Sequence, residues 1–244
     1  MRAVVIQRYG GPEVLQLQEW PDPEPGPGEI VVEVAAAGVN FRDVYERRGT
    51  ARADTPPFPA GGEGAGTVIA LGEGVTQVGI GDRVAWTHAR GSYAERVAVE
   101  ADRAVPVPDG VSDELAATVL LQGITAHYLA NTTYPAQPGD WVVVHAAAGG
   151  TGRLLTQMVK RRGGRVLATV SSEAKAEHAR AAGADEVVVG YAGFAEQALE
   201  LTGGEGVAAV YDGVGALTFD EGLSALRRRG TLASYGWSSG PTPS

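Results

Sequence analysis

Apolar residues in the first half of the chain come in short runs. Segments 3–7, 30–37, 66–71, 83–86 and 95–99 are rich in Val, Ile and Ala, and Gly/Pro clusters separate them. From Pro21 to Gly28 proline alternates with Asp, Glu and Gly, a stiff extended stretch rather than a helix. Gly72-Glu73-Gly74 and Gly79-Ile80-Gly81-Asp82 are turn signals. Strands at this spacing predict a β-rich barrel or sandwich. After Pro108-Asp109-Gly110 the pattern changes. Ser112 is a good N-cap, and 114–128 has many apolar positions and no Pro, which predicts a helix. Strands 141–146, 165–170, 186–189, 207–211 and 231–235 then alternate with helices 152–162, 174–182, 194–202 and 218–226. Such alternation predicts βαβ units. The strands are nearly continuous apolar runs, as expected when both faces of a parallel sheet are covered. The predicted fold is α/β: a β-rich domain over 1–121, then a doubly wound parallel sheet over 122–244. The Ser/Gly/Pro/Thr tail, 238–244, is expected to be disordered.

Composition narrows the possible functions. Hydrophobic residues make up 44% and charged residues 20%, enough for a packed core. Glycine numbers 35 of 244, about twice the usual share, which implies many tight turns. Lys+Arg 20 against Asp+Glu 29 leaves a net charge of −9, and that argues against nucleic-acid binding. Two basic clusters, Arg161-Arg162 and Arg227-Arg228-Arg229, fall at predicted helix C-termini, where the helix dipole favours cations. There is no cysteine. Disulfides, thiolate nucleophiles and cysteine-ligated zinc are therefore excluded. The four histidines, His88, His127, His145 and His178, are far apart and are expected on the surface or in the core, with His145 structural on a buried strand. No metal site is expected. The N-terminal segment lacks the apolar core of a signal peptide, and no run of about 18 apolar residues could span a membrane. A cytoplasmic protein is the default expectation.

The strongest motif is Ala146-Ala147-Ala148-Gly149-Gly150-Thr151-Gly152, between a predicted strand and a predicted helix. A dinucleotide pyrophosphate binds at such a helix N-terminus. Aligned on G-x-G-x-x-G, the three glycine positions hold Ala147, Gly149 and Gly152, so the first departs from the pattern. Gly149 would admit the pyrophosphate, and Gly152 would let helix and strand approach. The bland alternative is an ordinary tight turn. At the end of the second strand, where an NAD site places Asp or Glu, stands Ser171, with Lys175 one turn on. Hydroxyl donors and a cation suit a 2′-phosphate. NADPH is thus predicted over NADH, provided Glu173 points away; the alternative for Lys175 is a solvated helix lysine. Arg153 is either a cofactor contact or an exposed arginine.

Three segments carry a family resemblance. One runs Gly38-Val39-Asn40-Phe41-Arg42-Asp43-Val44-Tyr45-Glu46-Arg47-Arg48-Gly49. The second is Gly61-Gly62-Glu63-Gly64-Ala65-Gly66 with Gly81-Asp82-Arg83-Val84. The third is 146–152 with Gly183-Ala184-Asp185 and Val210-Tyr211-Asp212-Gly213-Val214-Gly215. Over essentially its whole length the chain resembles the zinc-free quinone oxidoreductases of the medium-chain dehydrogenase/reductase superfamily. The resemblance implies a GroES-like catalytic domain followed by a Rossmann domain, with the cofactor in the cleft between them. Zinc relatives carry Cys and His ligands, one a His where Gly62 stands here. The resemblance also implies that Asn40 and Tyr45 line the nicotinamide and substrate site, with Tyr45 donating to a substrate or cofactor oxygen. Tyr45 as a packed surface tyrosine is the alternative. Thr125, beside Gln122 on the interdomain helix, would contact the cofactor, and Tyr191 would pack near the adenine. Val214, Tyr235 and Gly236 fall at the C-terminal ends of later strands, where ligands bind in open α/β sheets. Family members continue for several tens of residues past 238–240. That continuation supplies a sixth strand, a returning helix, a basic residue near the cofactor and part of a homodimer interface. Without it, an exposed sheet edge is expected.

The implied reaction is hydride transfer from NADPH to a quinone or activated alkene. No acid–base residue is obligatory, because a reduced quinone takes its proton from water. Two rivals stand beside it. One is an NADPH-dependent enoyl-thioester or alkenal reductase with Tyr45 as proton donor. The other is a non-catalytic NADPH-binding protein.

Overall fold

In the computed structural model, which describes residues 1–50 and 55–243, the chain divides into two units, Met1–Leu121 and Gln122–Ser244. The first unit contains β1 (Arg2–Ile6), β2 (Leu15–Glu19), β3 (Glu29–Gly38), α1 (Phe41–Arg48), β4 (Phe58–Pro59), β5 (Glu63–Leu71), β6 (Arg83–Thr87), β7 (Arg96–Glu100) and β8 (Val105–Pro106). It also holds the first half of α2 (Asp113–Tyr128). A three-stranded sheet runs β2-β1-β4 and a five-stranded sheet β7-β3-β5-β6-β8, all antiparallel. Alternate residues of β3, β5, β6 and β7 turn inward. Ile30, Val32, Val68, Val84, Trp86, Val97 and Val99 form the core, which is what period-two patterning dictates. Trp86 is fully buried, and its indole N–H donates to Ser92 Oγ at 2.9 Å, so the polar handle is satisfied. Small residues on the other side, Ala65 and Ala85, pack against Ala116 and Ala117 of α2.

The second unit continues with β9 (Trp141–Val144), α3 (Gly150–Arg161), β10 (Arg165–Val170), α4 (Glu173–Ala181), β11 (Glu186–Val189), α5 (Phe194–Leu201), β12 (Val207–Asp212), α6 (Phe219–Ala225) and β13 (Leu226–Ser234). Its sheet is parallel, in the order β11-β10-β9-β12-β13. The chain goes outward one way from β9, then returns and goes outward the other way, so the order reverses between β9 and β12. This is the doubly wound topology expected from the apolar strand pattern. Alternate residues of one strand serve two cores. Val142 and Val144 join Leu155 and Val159 of α3 and Ala176 and Ala179 of α4. Val143 and Leu167 face the other side, with Phe194 and Ala198 of α5 and Ala225 of α6.

Three local expectations are corrected. Segment 41–48, for which no helix was expected, is α1; Asp43 caps it by accepting the Asn40 backbone N–H at 2.9 Å. The arginines 227–229 do not end a helix. They lie at the start of β13, where Leu226 pairs with Val207 and Thr231 with Ala209. The segment between is looped out, with Arg229 at φ 65°, and Arg227 reaches Asp140 at 3.1 Å. A partner within the fold, not a helix dipole, thus holds that cation. Within the tail, Ser238, Ser239 and Gly240 are ordered by backbone bonds to Gly213, Val214 and Ala216; Ser244 lies outside the described residues.

Candidate functional site

The loop after β9 is the segment for which a phosphate cradle is expected. α3 opens at Gly150, two residues before the predicted start, with Gly149 as its N-cap. Gly149 and Gly150 are exposed, Thr151 is half-buried and Gly152 is buried. A Cβ on Gly152 would lie 2.5 Å from the Ala146 carbonyl oxygen and 2.7 Å from the Ala147 Cα, so glycine there permits the close helix–strand approach. A Cβ on Gly150 would collide with the side-chain amide of Gln122 on α2. At Gly149 it would meet only the Ala146 carbonyl oxygen, at 3.2 Å. Glycine at 149 and 150 thus keeps this helix N-terminus clear of side chains of its own, as a pyrophosphate site requires. The missing first glycine is compensated next door: Ala146 takes φ 49°, while Ala147 is buried and donates its N–H to the Thr169 carbonyl.

Ser171 and Lys175 are brought together at the end of β10. Lys175 Nζ donates to Ser171 Oγ at 2.9 Å, and both side chains are exposed. Glu173 is also exposed and lies 3.9 Å from Arg180, away from that pair. A hydroxyl and an ammonium side by side can accept a 2′-phosphate. The residues present therefore fit NADPH at both ends of its phosphate chemistry. Arg153 is an exposed residue of α3.

Between β9 and β12 lies a buried polar cluster that motif reading did not resolve. Asp212 is fully buried and accepts from the Val214 N–H at 2.7 Å, the Gly215 N–H at 3.0 Å and Thr218 Oγ1 at 2.9 Å. It shapes the turn that carries Val214. His145 is also fully buried; its Nδ1 lies 2.8 Å from Thr169 Oγ1, and its ring meets Phe194 edge-on at 4.6 Å. Burial pushes its pKa down to about 4, against the opposing pull of Asp212. Tyr191 approaches His145 with ring centroids 6.4 Å apart. The Tyr235 ring lies against Gly213, and Gly236 packs on the Gly213 backbone. Burial and then Asp212 raise the Tyr235 and Tyr191 hydroxyls above the usual phenol range. The signal for this cluster was available: a lone carboxylate ending the apolar run Val207–Asp212. Thr125 is a half-buried residue of α2 in the same unit.

In the first unit, Asn40 precedes α1 and Tyr45 lies on it, its ring 5.2 Å from Phe41. Asn40 Nδ2 donates to Glu63 Oε2 at 2.6 Å, while Glu63 Oε1 accepts the Leu121 N–H at 2.8 Å. Glu63 is fully buried, and burial raises its pKa above the usual carboxylate range. Tyr93 Oη donates to Asp43 at 2.6 Å. Glu63 was quoted only as part of a motif; its hold on Asn40 depends on pairing across strands. Of the histidines, His88, His127 and His178 are exposed. Among the described residues no group of three or more His, Asp or Glu could hold a metal, and no helix is long and apolar enough to cross a membrane.

Comparison with known proteins follows the same division. Residues 26–109 match the alcohol dehydrogenase GroES-like domain, and residues 150–244 match the zinc-binding dehydrogenase family. The chain is 43% identical to a quinone oxidoreductase of Pseudomonas aeruginosa, over 98% of this chain and 74% of that protein. It is 38% identical to a 2-haloacrylate reductase of a Burkholderia species, over 98% and 74%. A solved structure of Escherichia coli quinone oxidoreductase complexed with NADPH superposes with a TM-score of 0.95 at 38% identity, covering 100% of this chain and 76% of that one.

Proposed function

This chain belongs to the quinone oxidoreductase family of the medium-chain dehydrogenase/reductase superfamily, and on that premise we propose that it transfers hydride from NADPH to a small quinone or similar electrophilic carbonyl or alkene in the cytoplasm, without a metal. One observation carries the cofactor choice. The glycine-lined N-terminus of α3 and the Ser171–Lys175 pair stand at the C-terminal ends of adjacent strands of one sheet, β9 and β10. NADPH, when bound, supplies the hydride. Gly150 and Thr151 would bind its pyrophosphate through backbone N–H groups, Gly149, whose own N–H is donated to the Ala146 carbonyl at 2.9 Å, would leave it room, and Gly152 lets the helix sit close enough to the strand. Ser171 and Lys175 hold the 2′-phosphate by hydrogen bond and charge. Thr125, Tyr191, Val214, Tyr235 and Gly236 complete the cofactor side in this reading. Asn40 and Tyr45 orient the acceptor, Tyr45 with a phenol hydroxyl that can donate to an oxygen. The absence of cysteine supports the metal-free reading. The acceptor's proton can come from water, so no residue is assigned as an obligatory acid.

A second reading, reduction of an activated alkene, is favoured by the likeness to 2-haloacrylate reductase. Titration with NADPH and NADH, followed through quenching of the four tryptophans, tests the cofactor assignment. NADPH should bind much more tightly, and Lys175→Ala should weaken NADPH about ten-fold or more while sparing NADH. Equal losses for both nucleotides would sink the assignment. Turnover of 1,4-quinones against enoyl thioesters then separates the two reactions.

A further inference from the structure

A guanidinium in the first unit is held with one N–H edge bare. Arg42 Nε donates to Glu46 Oε1 at 2.8 Å, and Nη2 lies 2.8 Å from the same oxygen, one helical turn on. Nη1 points away from Glu46. It is buried and has no hydrogen-bond partner among the described residues. Buried donors are nearly always satisfied, and a charged one left bare asks for an explanation. Two other carboxylates of the described residues, Asp43 and Glu63, are engaged. Asp43 Oδ2 accepts from the Asn40 N–H and from Tyr93, and Glu63 accepts from Asn40 and the Leu121 N–H. The guanidinium lies beside the backbone of Gly62: a Cβ there would be 3.9 Å from Nη1 and 4.0 Å from Cζ, with the Ala89 carbonyl oxygen at 3.5 Å. The absence of a side chain at 62 leaves a methyl-sized space at van der Waals distance from this nitrogen. Arg42 is also close enough to His88 to help lower its pKa, behind burial as the larger cause.

We propose that Arg42 Nη1, held by Glu46 beside Gly62, is an oxygen-binding subsite that gives this enzyme a preference for acceptors carrying a carboxylate. The proposal rests on the reading of α1 and its flanks as the acceptor side, and deepens it. Asn40 is the N-cap of the same helix and Tyr45 lies on it. The fork geometry of arginine suits a carboxylate, and the hold of Glu46 on Nε and Nη2 fixes the orientation of Nη1.

The test uses a matched pair of acceptors, a neutral 2-alkyl naphthoquinone and the same ring with a propanoate tail. Binding to the full chain is followed by tryptophan quenching, and NADPH oxidation is measured separately. The wild type should bind the propanoate quinone more tightly. In Arg42→Gln the propanoate-to-neutral affinity ratio should fall about ten-fold or more. Arg42→Lys, which keeps a cation, should retain more of it and stands in if the Gln variant fails to fold. A ratio unchanged in a folded Arg42→Gln variant, or no carboxylate preference in the wild type, overturns the subsite. If the preference is present and lost on substitution but neither quinone is reduced, the subsite stands and the oxidoreductase reading falls. If both quinones are reduced with a ratio indifferent to residue 42, the reverse holds.

Discussion

A methyl group on Gly152 would have to share space with the Ala146 carbonyl oxygen and the Ala147 Cα, both backbone atoms that cannot rotate away. Gly152→Ala is therefore expected to cost about 1–3 kcal/mol of stability through overpacking, read as a lower urea midpoint. Gly149→Ala meets only the Ala146 carbonyl oxygen at 3.2 Å. It should leave the midpoint nearly unchanged yet weaken NADPH binding, because its methyl group would intrude on the proposed pyrophosphate site. Similar stability losses in both variants would contradict the division of roles between the two glycines. The close approach at Gly152 was legible from the spacing of the motif. The substitute for its first glycine was not: the left-handed residue is Ala146, one position before the aligned Ala147, and a backbone angle of that kind is set by the turn as a whole.

At the scale of elements, the turn between β12 and α6 hangs on one side chain. Asp212 satisfies the Val214 and Gly215 N–H groups and the Thr218 hydroxyl, all buried. Asp212→Ala strands the two N–H groups, at about 1–3 kcal/mol for each one left unsatisfied, while the Thr218 hydroxyl keeps the Gly215 carbonyl at 3.1 Å, so the urea midpoint should drop sharply. Asp212→Asn keeps one acceptor oxygen and should be milder. A folded, unperturbed alanine variant would show that the turn holds itself. Element type was readable here because buried parallel strands are continuous apolar runs and the helices between them are amphipathic. Segment 41–48 escaped notice because its apolar positions, Phe41, Val44 and Tyr45, are few among charged residues. What makes it α1 is an N-terminal cap and capping carboxylate, reinforced by the Arg42–Glu46 pair.

Over the whole molecule, buried titratable groups set the response to acid. His145 must be neutral in the fold, where its pKa is about 4 instead of the ordinary 6.5. Its contribution to stability is fully present above pH 6.5 and is lost as pH falls towards about 4. Glu63 has the opposite sign. Its raised pKa means a contribution present below 4.5 that is lost as pH rises through the folded value. The urea midpoint should fall between pH 6.5 and 4, and His145→Gln should flatten that slope. An unchanged slope in the variant would place the acid sensitivity elsewhere.

The sequence by itself determined the β-rich first half, the alternating second half, the phosphate loop and the Ser171–Lys175 pair. These are local: hydrophobic periodicity, turn residues and spacings of three or four along one helix or loop. Only the tertiary structure decided the remainder, because it depends on which distant segments meet. Glu63 reaches Asn40 and Leu121 across strand and helix. His145 meets Thr169 from the neighbouring strand. Arg227 finds Asp140 from 87 positions away, and the segment 238–240 is held by the turn at Gly213–Ala216. The bare edge of Arg42 against Gly62 belongs to the same class. A free donor is defined by what fails to surround it, and only the assembled fold supplies that surrounding.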